Sequence, residues 1–250
     1  MRKYGLIGFP LGHSFSKKYF TEKFAAEQIN DCSYENFPID SVDRLPDLIR
    51  ENKDLCGLNV TIPHKTNILK YVDVKDTPVM EIGAANVLKI KRIKGVLQIY
   101  GYNSDITGIC DSLMPFISGN LRNAMILGTG GSSRAVDYTL KKLGIHYSFV
   151  SRKSGPGLIN YRDINASMIE KTDLIINTTP LGMFPDITSK PEIDYDLLNE
   201  NHILFDLVYN PEMTSFLKMG KERGCKIITG LKMLYSQAER SWEIWNNDQF

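Results

Sequence analysis

Apolar and polar positions alternate along this chain in short blocks, and the period of the alternation keeps changing. Blocks of period two, which suit strands, exchange with blocks repeating every three to four residues, which suit helices, and that exchange is the pattern of an α/β protein. Residues 4–8 read as a first strand closing in a Gly/Pro loop, and Ser16 is placed to cap a helix over 17–29 with Phe20, Phe24 and Ala25 on one face. The pattern predicts a strand over 34–39, a helix over 42–51 and the next strand over 56–61. Residues 86–90 and 96–100 flank a basic turn containing Gly95 and predict a hairpin. Beyond that the texture changes. Residues 123–128 form a short apolar strand feeding a glycine loop, and 133–143 continue as a helix ended by Gly144. Short apolar runs at 147–150, 174–177, 203–207 and 226–228 are what a parallel sheet covered on both faces requires. A last helix over 231–246 is expected to pack back on the first half. No internal repeat or low-complexity linker separates the halves, so the boundary is read from the change of pattern near 105–120.

Composition narrows the classes. With 250 residues the chain can bury a substantial core in one large or two modest domains. Lys and Arg total 30 against 29 Asp and Glu, so the net charge of +1 creates no field that draws nucleic acid or an anionic membrane surface. Cys32, Cys56, Cys110 and Cys225 lack any metal-ligand spacing, which argues for reduced thiols in a cytoplasmic protein and against disulfides or zinc. Residues 1–14 carry two basic side chains but no long apolar segment, and no apolar stretch approaches membrane-spanning length.

Four stretches carry candidate chemistry. In GLNVTIPHK, residues 57–65, a strand places Asn59 and Thr61 on one side, Pro63 stops the ladder, and Lys65 follows as a cation on a long stem. Lys65 is either a solvated lysine at a strand end or the cation of a site that holds a hydroxylated ligand. In ILGTGGSSRA, residues 126–135, Gly128, Gly130 and Gly131 follow a strand and open a helix, with Ser133 where the strict dinucleotide fingerprint has glycine. This is either a tight strand–helix turn or a pyrophosphate cradle against the helix N-terminus. The next strand ends at Ser151-Arg152-Lys153, where an NAD site would carry an acid. A basic group there favours a 2′-phosphate and so NADP, unless the turn is merely solvated. In GYNSDITG, residues 101–108, Asp105 stands at a helix start, as a first-turn acid or as a partner for Lys65.

Taken together, GLIGFPLGHSFS (5–16), NVTIPHK (59–65), GAAN (83–86), YNSD (102–105), GTGGSSRA (128–135), NTTPLGM (177–183), DLVYNP (206–211) and GLKMLYSQA (230–238) resemble, in order, the motifs of the shikimate dehydrogenase family. The resemblance implies an α/β chain of two domains. Residues 1–108, joined by the C-terminal helix 231–250, form an α/β substrate-binding domain, and 109–230 form a Rossmann-type, doubly wound NADP-binding domain, with the active site in the cleft between them. It implies reversible reduction of 3-dehydroshikimate to shikimate by NADPH, with Lys65 and Asp105 catalytic: Lys65 gives the proton to the developing alkoxide and Asp105 orients it. Ser14 and Ser16, assisted by Tyr209, are expected at the substrate carboxylate, and Thr61, Asn86, Asp105 and Gln237 at the ring hydroxyls. Asn59 either joins that wall or ties down the loop. On the cofactor side the resemblance implies Gly128, Thr129, Gly130, Gly131 and Ser132, then Ser151, Arg152 and Lys153, and Thr178, Leu207 and Gly230 toward the nicotinamide, with Thr179 beside them. No metal is expected, because Lys65 supplies the electrophile and no ligand cluster is visible. His13 and His64 read as scaffold.

Some positions depart from the family pattern. Lys17 stands where the family often has Pro, Ser151 where it commonly has Asn, and Thr77 where it often has an acid, and the chain is rather short. The rival readings are a quinate-using relative of the same fold and a non-catalytic ligand-binding homologue. Expected partners are a small-molecule substrate but no nucleic acid or membrane, in a monomer or homodimer.

Overall fold

The computed structural model describes residues 1–12, 15–117 and 121–247. The chain divides into two compact units, Met1–Ser104 with Ala238–Phe250, and Asp105–Gln237. The divisions fall at 104/105 and 237/238, where the sequence reading drew 108/109 and 230/231.

The first unit contains β1 (Arg2–Gly8), α1 (Phe15–Ala26), β2 (Cys32–Pro38), α2 (Leu45–Glu51), β3 (Leu55–Val60), β4 (Val74–Lys75), α3 (Thr77–Ile82), β5 (Val87–Ile93) and β6 (Val96–Tyr102). Its sheet runs β2-β1-β3-β5-β6-β4. β1 is parallel to β2 and β3, whereas β5 is antiparallel to both β3 and β6, so the expected hairpin is present. Period-two alternation sends Ile7, Leu58, Val60, Leu88 and Ile90 into one apolar layer and Tyr4, Leu6 and Val87 into the other. The second layer is aromatic. Phe20 and Phe24 of α1 meet Tyr4 and Tyr34 there, together with Trp242 and Trp245 near the C-terminus.

α1 begins two residues earlier than predicted, so Ser16 lies inside its first turn and is not the cap. It also ends earlier, at Ala26. Gln28 takes a left-handed φ of 57°, Ile29 N–H donates to the Phe24 carbonyl (2.8 Å), and Gln28 N–H donates to that of Ala25 (3.3 Å), which together form a Schellman stop. The helix predicted over 42–51 is a 3-10 turn, Val42–Arg44, followed by α2 with Pro46 in its first turn, where the missing N–H costs nothing.

The second unit contains α4 (Asp105–Leu113), β7 (Asn123–Leu127), α5 (Gly131–Lys142), β8 (His146–Ser151), β9 (Leu158–Asn160), α6 (Ala166–Glu170), β10 (Leu174–Asn177), β11 (Ile203–Asp206), α7 (Ser215–Glu222), β12 (Lys226–Ile228) and the start of α8 (Gly230–Asn246). The chain returns to the first unit within α8. All strand pairs of this sheet are parallel, in the order β12-β11-β10-β7-β8-β9. Counted from β7 this is 3-2-1-4-5-6 read from the β9 edge, the doubly wound Rossmann order, with its switch point between β7 and β10. Both faces are buried: Ala124, Ile126, Leu174 and Ile176 enter one layer, and Met125, Leu127 and Ile175 the other. Among the described residues no helix is long and apolar enough to cross a membrane.

Candidate active site

The sequence around Lys65 folds into a turn held at several backbone points. β3 ends at Val60, whose N–H donates to the Asn86 carbonyl (2.8 Å), and the Thr61 N–H reaches the Ile7 carbonyl (2.9 Å). His64 N–H then closes back on the Thr61 carbonyl (2.9 Å), and the Lys65 carbonyl accepts from Ala85 N–H (2.8 Å). The NVTIPHK and GAAN stretches are therefore stitched together on either side of Lys65, which is half-buried. The Thr61 methyl faces Gly8: a Cβ built at Gly8 would stand 2.4 Å from it, so only glycine permits the approach. Because a β-branched side chain is stiff at χ1, packing the methyl there also fixes where the hydroxyl points.

Asn86 is buried and bound to the next motif. Its Oδ1 accepts from Ser104 N–H (2.7 Å) and its Nδ2 donates to Ser104 Oγ (3.1 Å). Asn103 adds a bond from Nδ2 to the Ala84 carbonyl (3.0 Å). Hydrogen bonds thus link 65 to 85 and 86 to 104, with 85 and 86 chain neighbours, and Asp105 is one peptide beyond Ser104, buried at the first position of α4. An acid in the first helical turn is favoured by the helix dipole.

Asn59 settles differently from the wall reading. It is 6% exposed, accepts from the Tyr34 hydroxyl (2.8 Å) and donates to Ser241 Oγ (2.9 Å), so it joins β2, β3 and α8. The sequence offered these as alternatives, and burial decides for the tie. The Tyr34 hydroxyl also hydrogen-bonds Ser16, and full burial raises its pKa far above the ordinary phenol value. Ser14 and His13 lie outside the described residues. Gln237 is in α8 with Nε2 donating to the Leu234 carbonyl (3.1 Å). Tyr209 is half-buried in the loop after β11, and burial pushes its phenol up.

At the switch point of the second sheet, Gly128 has a φ of 109°, and a Cβ there would stand 2.8 Å from both Thr178 Oγ1 and the Thr179 methyl. Glycine is required twice over, by conformation and by contact. Thr178 Oγ1 donates to the Leu127 carbonyl (2.7 Å), which fastens the end of β10 to the end of β7. Gly130, the N-cap of α5, is different: a Cβ there meets nothing within 4 Å, and no side chain caps the helix. Open space at uncapped N–H groups, flanked by exposed Thr129 and half-exposed Gly131 and Ser132, fits an anion such as a pyrophosphate.

Beyond β8, Ser151 is buried and its Oγ accepts from Lys153 N–H (3.1 Å), while the Arg152 carbonyl accepts from Asn160 Nδ2 (3.1 Å). Two hydrogen bonds thus hold the turn's backbone, and the Arg152 and Lys153 side chains are exposed. Gly230 has a reason independent of any ligand, because a Cβ there would meet the Val208 and Leu207 carbonyls at 2.6 and 2.8 Å.

Sequence reasoning missed a fully buried cluster beneath this region. Asp206 Oδ1 accepts from Asn177 Nδ2 (3.0 Å) and Val208 N–H (2.9 Å), and its Oδ2 accepts from Thr214 Oγ1 (2.6 Å). Asn177 in turn accepts from Thr179 N–H and Oγ1 at 3.0 and 2.6 Å. The carboxyl is pushed up to about 7, burial outweighing the three donors. Asn177 and Asp206 stand inside the NTTPLGM and DLVYNP motifs, but nothing in those strings says that they bond to each other.

Fold and site define a class: two-unit α/β proteins in which a doubly wound Rossmann sheet is paired with a smaller mixed-sheet unit. A family profile described as the shikimate dehydrogenase substrate binding domain matches residues 6–88. The shikimate dehydrogenase (NADP(+)) of Methanococcus aeolicus is 37% identical over an alignment covering 96% of this chain and 90% of that protein. Shikimate dehydrogenase 1 from Peptoclostridium difficile superposes with a TM-score of 0.83 at 34% identity, covering 98% and 91% of the two chains. Shikimate 5-dehydrogenase from Thermus thermophilus, solved in complex with NADP(H) and shikimate, gives a TM-score of 0.81 at 26% identity, covering 98% and 94%. The chain belongs to the shikimate dehydrogenase family.

Proposed function

We propose that this chain catalyses the reversible, NADPH-dependent reduction of 3-dehydroshikimate to shikimate, a step toward the aromatic amino acids. The observation that carries the reading is the hydrogen-bonded frame around Lys65, which fixes the backbone of a half-buried cation in a chain of this family. Residues 1–108 with 231–250 bind the substrate in this reading, and 109–230 bind NADP. Ser14 and Ser16, with Tyr209, take the carboxylate. Thr61, Asn86, Asp105 and Gln237 take the ring hydroxyls, whose hydrogen bonds reject analogues lacking them.

The bound NADPH supplies the hydride. As the carbonyl is reduced, its oxygen gains negative charge, and the Lys65 ammonium meets that charge and gives up a proton. In the oxidation direction the neutral amine takes the proton back. Asp105 is the carboxylate partner that holds the amine in register. Gly128, Thr129, Gly130, Gly131 and Ser132 accept the pyrophosphate. Arg152, with Ser151 and Lys153, takes the 2′-phosphate, and Thr178, Leu207 and Gly230 wall the nicotinamide. Support for the phosphate sites comes from the open space at Gly130 and from a hydrogen-bonded turn with an exposed guanidinium. The four unpaired cysteines suit a reducing cytoplasm, where we place the protein as a monomer or homodimer.

A spectrophotometric assay of shikimate and quinate, each with NADP and NAD, tests the reading. Shikimate with NADP is expected to give the largest kcat/KM. Arg152→Ala is expected to raise KM for NADP roughly ten- to hundred-fold, the worth of a lost charge-assisted hydrogen bond, and to leave NAD almost untouched. A larger kcat/KM for quinate with NAD would replace this substrate assignment with the quinate reading, and no turnover in any combination would leave a binding homologue.

A further inference from the structure

His64 stands immediately before Lys65 and is 3% exposed. Its Nε2 lies 2.7 Å from the Ile39 carbonyl, which can only accept, so Nε2 carries the proton. Ile39 is itself anchored: its side chain is in the first unit's core and its N–H donates to the Gly8 carbonyl (3.2 Å) at the end of β1. The imidazole therefore connects the turn that carries Lys65 to the end of β1 through the segment that follows β2.

Four hydrogen bonds fix the backbone on either side of the Lys65 Cα. They are His64 N–H to the Thr61 carbonyl, Ile68 N–H to the His64 carbonyl (2.9 Å), Ala85 N–H to the Lys65 carbonyl, and the imidazole to Ile39. Three are backbone bonds that many sequences would form in this turn. The fourth depends on a side chain, and its burial means that water cannot replace it. A long, flexible stem transmits any rotation of its Cα to the amine, and a misplacement of about 1 Å at a reacting group costs on the order of a hundredfold in rate.

We infer that His64 is a positioning residue for proton transfer by Lys65, acting through its Nε2–H bond to the Ile39 carbonyl. This rests on reading Lys65 as the proton donor. The imidazole takes no proton in the reaction. It sets the angle at which the lysine leaves the turn.

The test uses the full chain with His64→Ala, His64→Asn, His64→Gln and Lys65→Met, assayed at saturating shikimate and NADP, with shikimate binding measured separately by calorimetry. A glutamine amide nitrogen overlays imidazole Nε2 and can donate to Ile39, whereas an asparagine amide overlays Nδ1 and falls short. His64→Ala and His64→Asn are expected to lower kcat roughly ten- to hundred-fold while the shikimate Kd moves less than about threefold, and His64→Gln to recover kcat to within about threefold of wild type. Equal losses in the Gln and Asn variants would overturn the proposal, as would normal kcat in His64→Asn with only a lowered melting temperature, the mark of a purely structural histidine. Should His64→Ala fail to fold, the Asn and Gln pair decides alone. Lys65→Met separates the two readings: near-normal turnover there removes Lys65 from proton transfer and the positioning role with it, whereas an inactive Lys65→Met beside an unaffected His64→Asn overturns the positioning role alone.

Discussion

Asp206 shows how one residue can oppose the stability of the fold while organising it. Its carboxyl is fully buried, no cation is among the partners that hold it, and Tyr195 faces it from the 3-10 turn at Tyr195–Leu197. Three neutral donors offset only part of the cost of removing a carboxylate from water, and the group titrates near 7 where an exposed aspartate titrates at 3.8. Between those values the folded chain keeps a proton that the unfolded chain has released. Stability from this group is therefore complete below about pH 4 and lost as pH rises through about 7. Asp206→Asn keeps the shape and removes the titration, so relative to wild type it should be more stable at pH 8 than at pH 5 by urea unfolding. An identical difference at both values would mean that the carboxyl does not titrate there. The polar residues proposed to meet ligand were readable as motif positions, Lys65 and Arg152 among them. The bonds that hold such residues in place were not, because those of Asp206 to Asn177 and of Asn86 to Ser104 connect places far apart in the chain.

Among the elements, β3 and α8 fit closely through one glycine. A Cβ at Gly57 would stand 2.3 Å from Trp245 Nε1, which donates to the Leu88 carbonyl (3.0 Å), and the indole is stacked on Tyr4 with ring centres 4.8 Å apart. Lys89 ties down the same helix end, donating to the Ile244 (2.9 Å) and Asn247 (2.6 Å) carbonyls, where a cation complements the helix dipole. A ring held on so many sides has nowhere to go, so Gly57→Ala should cost about 1–3 kcal/mol, read as a lower urea midpoint. An unchanged midpoint would show that α8 yields freely. Long periodic elements such as α5 and the hairpin of β5 and β6 were legible from hydrophobic spacing. The short ones were not. Asp76 caps α3 through Val79 N–H (2.8 Å) and Gly83 ends it in a left-handed conformation, yet only six residues lie between, too few for a period to show. The stop of α1 was hidden because Gln28, not glycine, takes the left-handed position. β4, two exposed residues at the sheet edge, carries no pattern at all.

At the scale of the whole molecule, the two units offer different chemistry to two ligands. The unit of residues 105–237 presents an uncapped helix start and a basic turn, both suited to phosphate, whereas the unit built on 1–104 carries Lys65 with Thr61 and Asn86 on the segments bonded next to it, residue types suited to a hydroxylated acid. The parallel sheet covered on both faces was foreseeable because such a sheet needs strands that are apolar throughout, whereas its doubly wound order was expected only from the family resemblance. The mixed sheet was less so, since antiparallel β5 inserted beside parallel β1 and β3 leaves no mark in hydrophobic spacing. A division of labour of this kind predicts that each ligand alone protects its own amides. A ligand at a hundred times its Kd adds about 2.7 kcal/mol against openings that release it, on the order of a hundredfold slower hydrogen exchange. NADP alone should slow exchange at 128–133 and 151–153 and leave 59–65 unchanged, and shikimate alone should slow 59–65 and 85–86. Gln237 and Tyr209, which belong to the second unit by contact but to the substrate by proposal, give the sharper reading. Shikimate without NADP should slow exchange around both residues as well as at 59–65. Protection of 59–65 with neither responding would confine substrate recognition to the first unit, and protection of 59–65 by NADP with 128–133 unmoved would reverse the assignment of the two units.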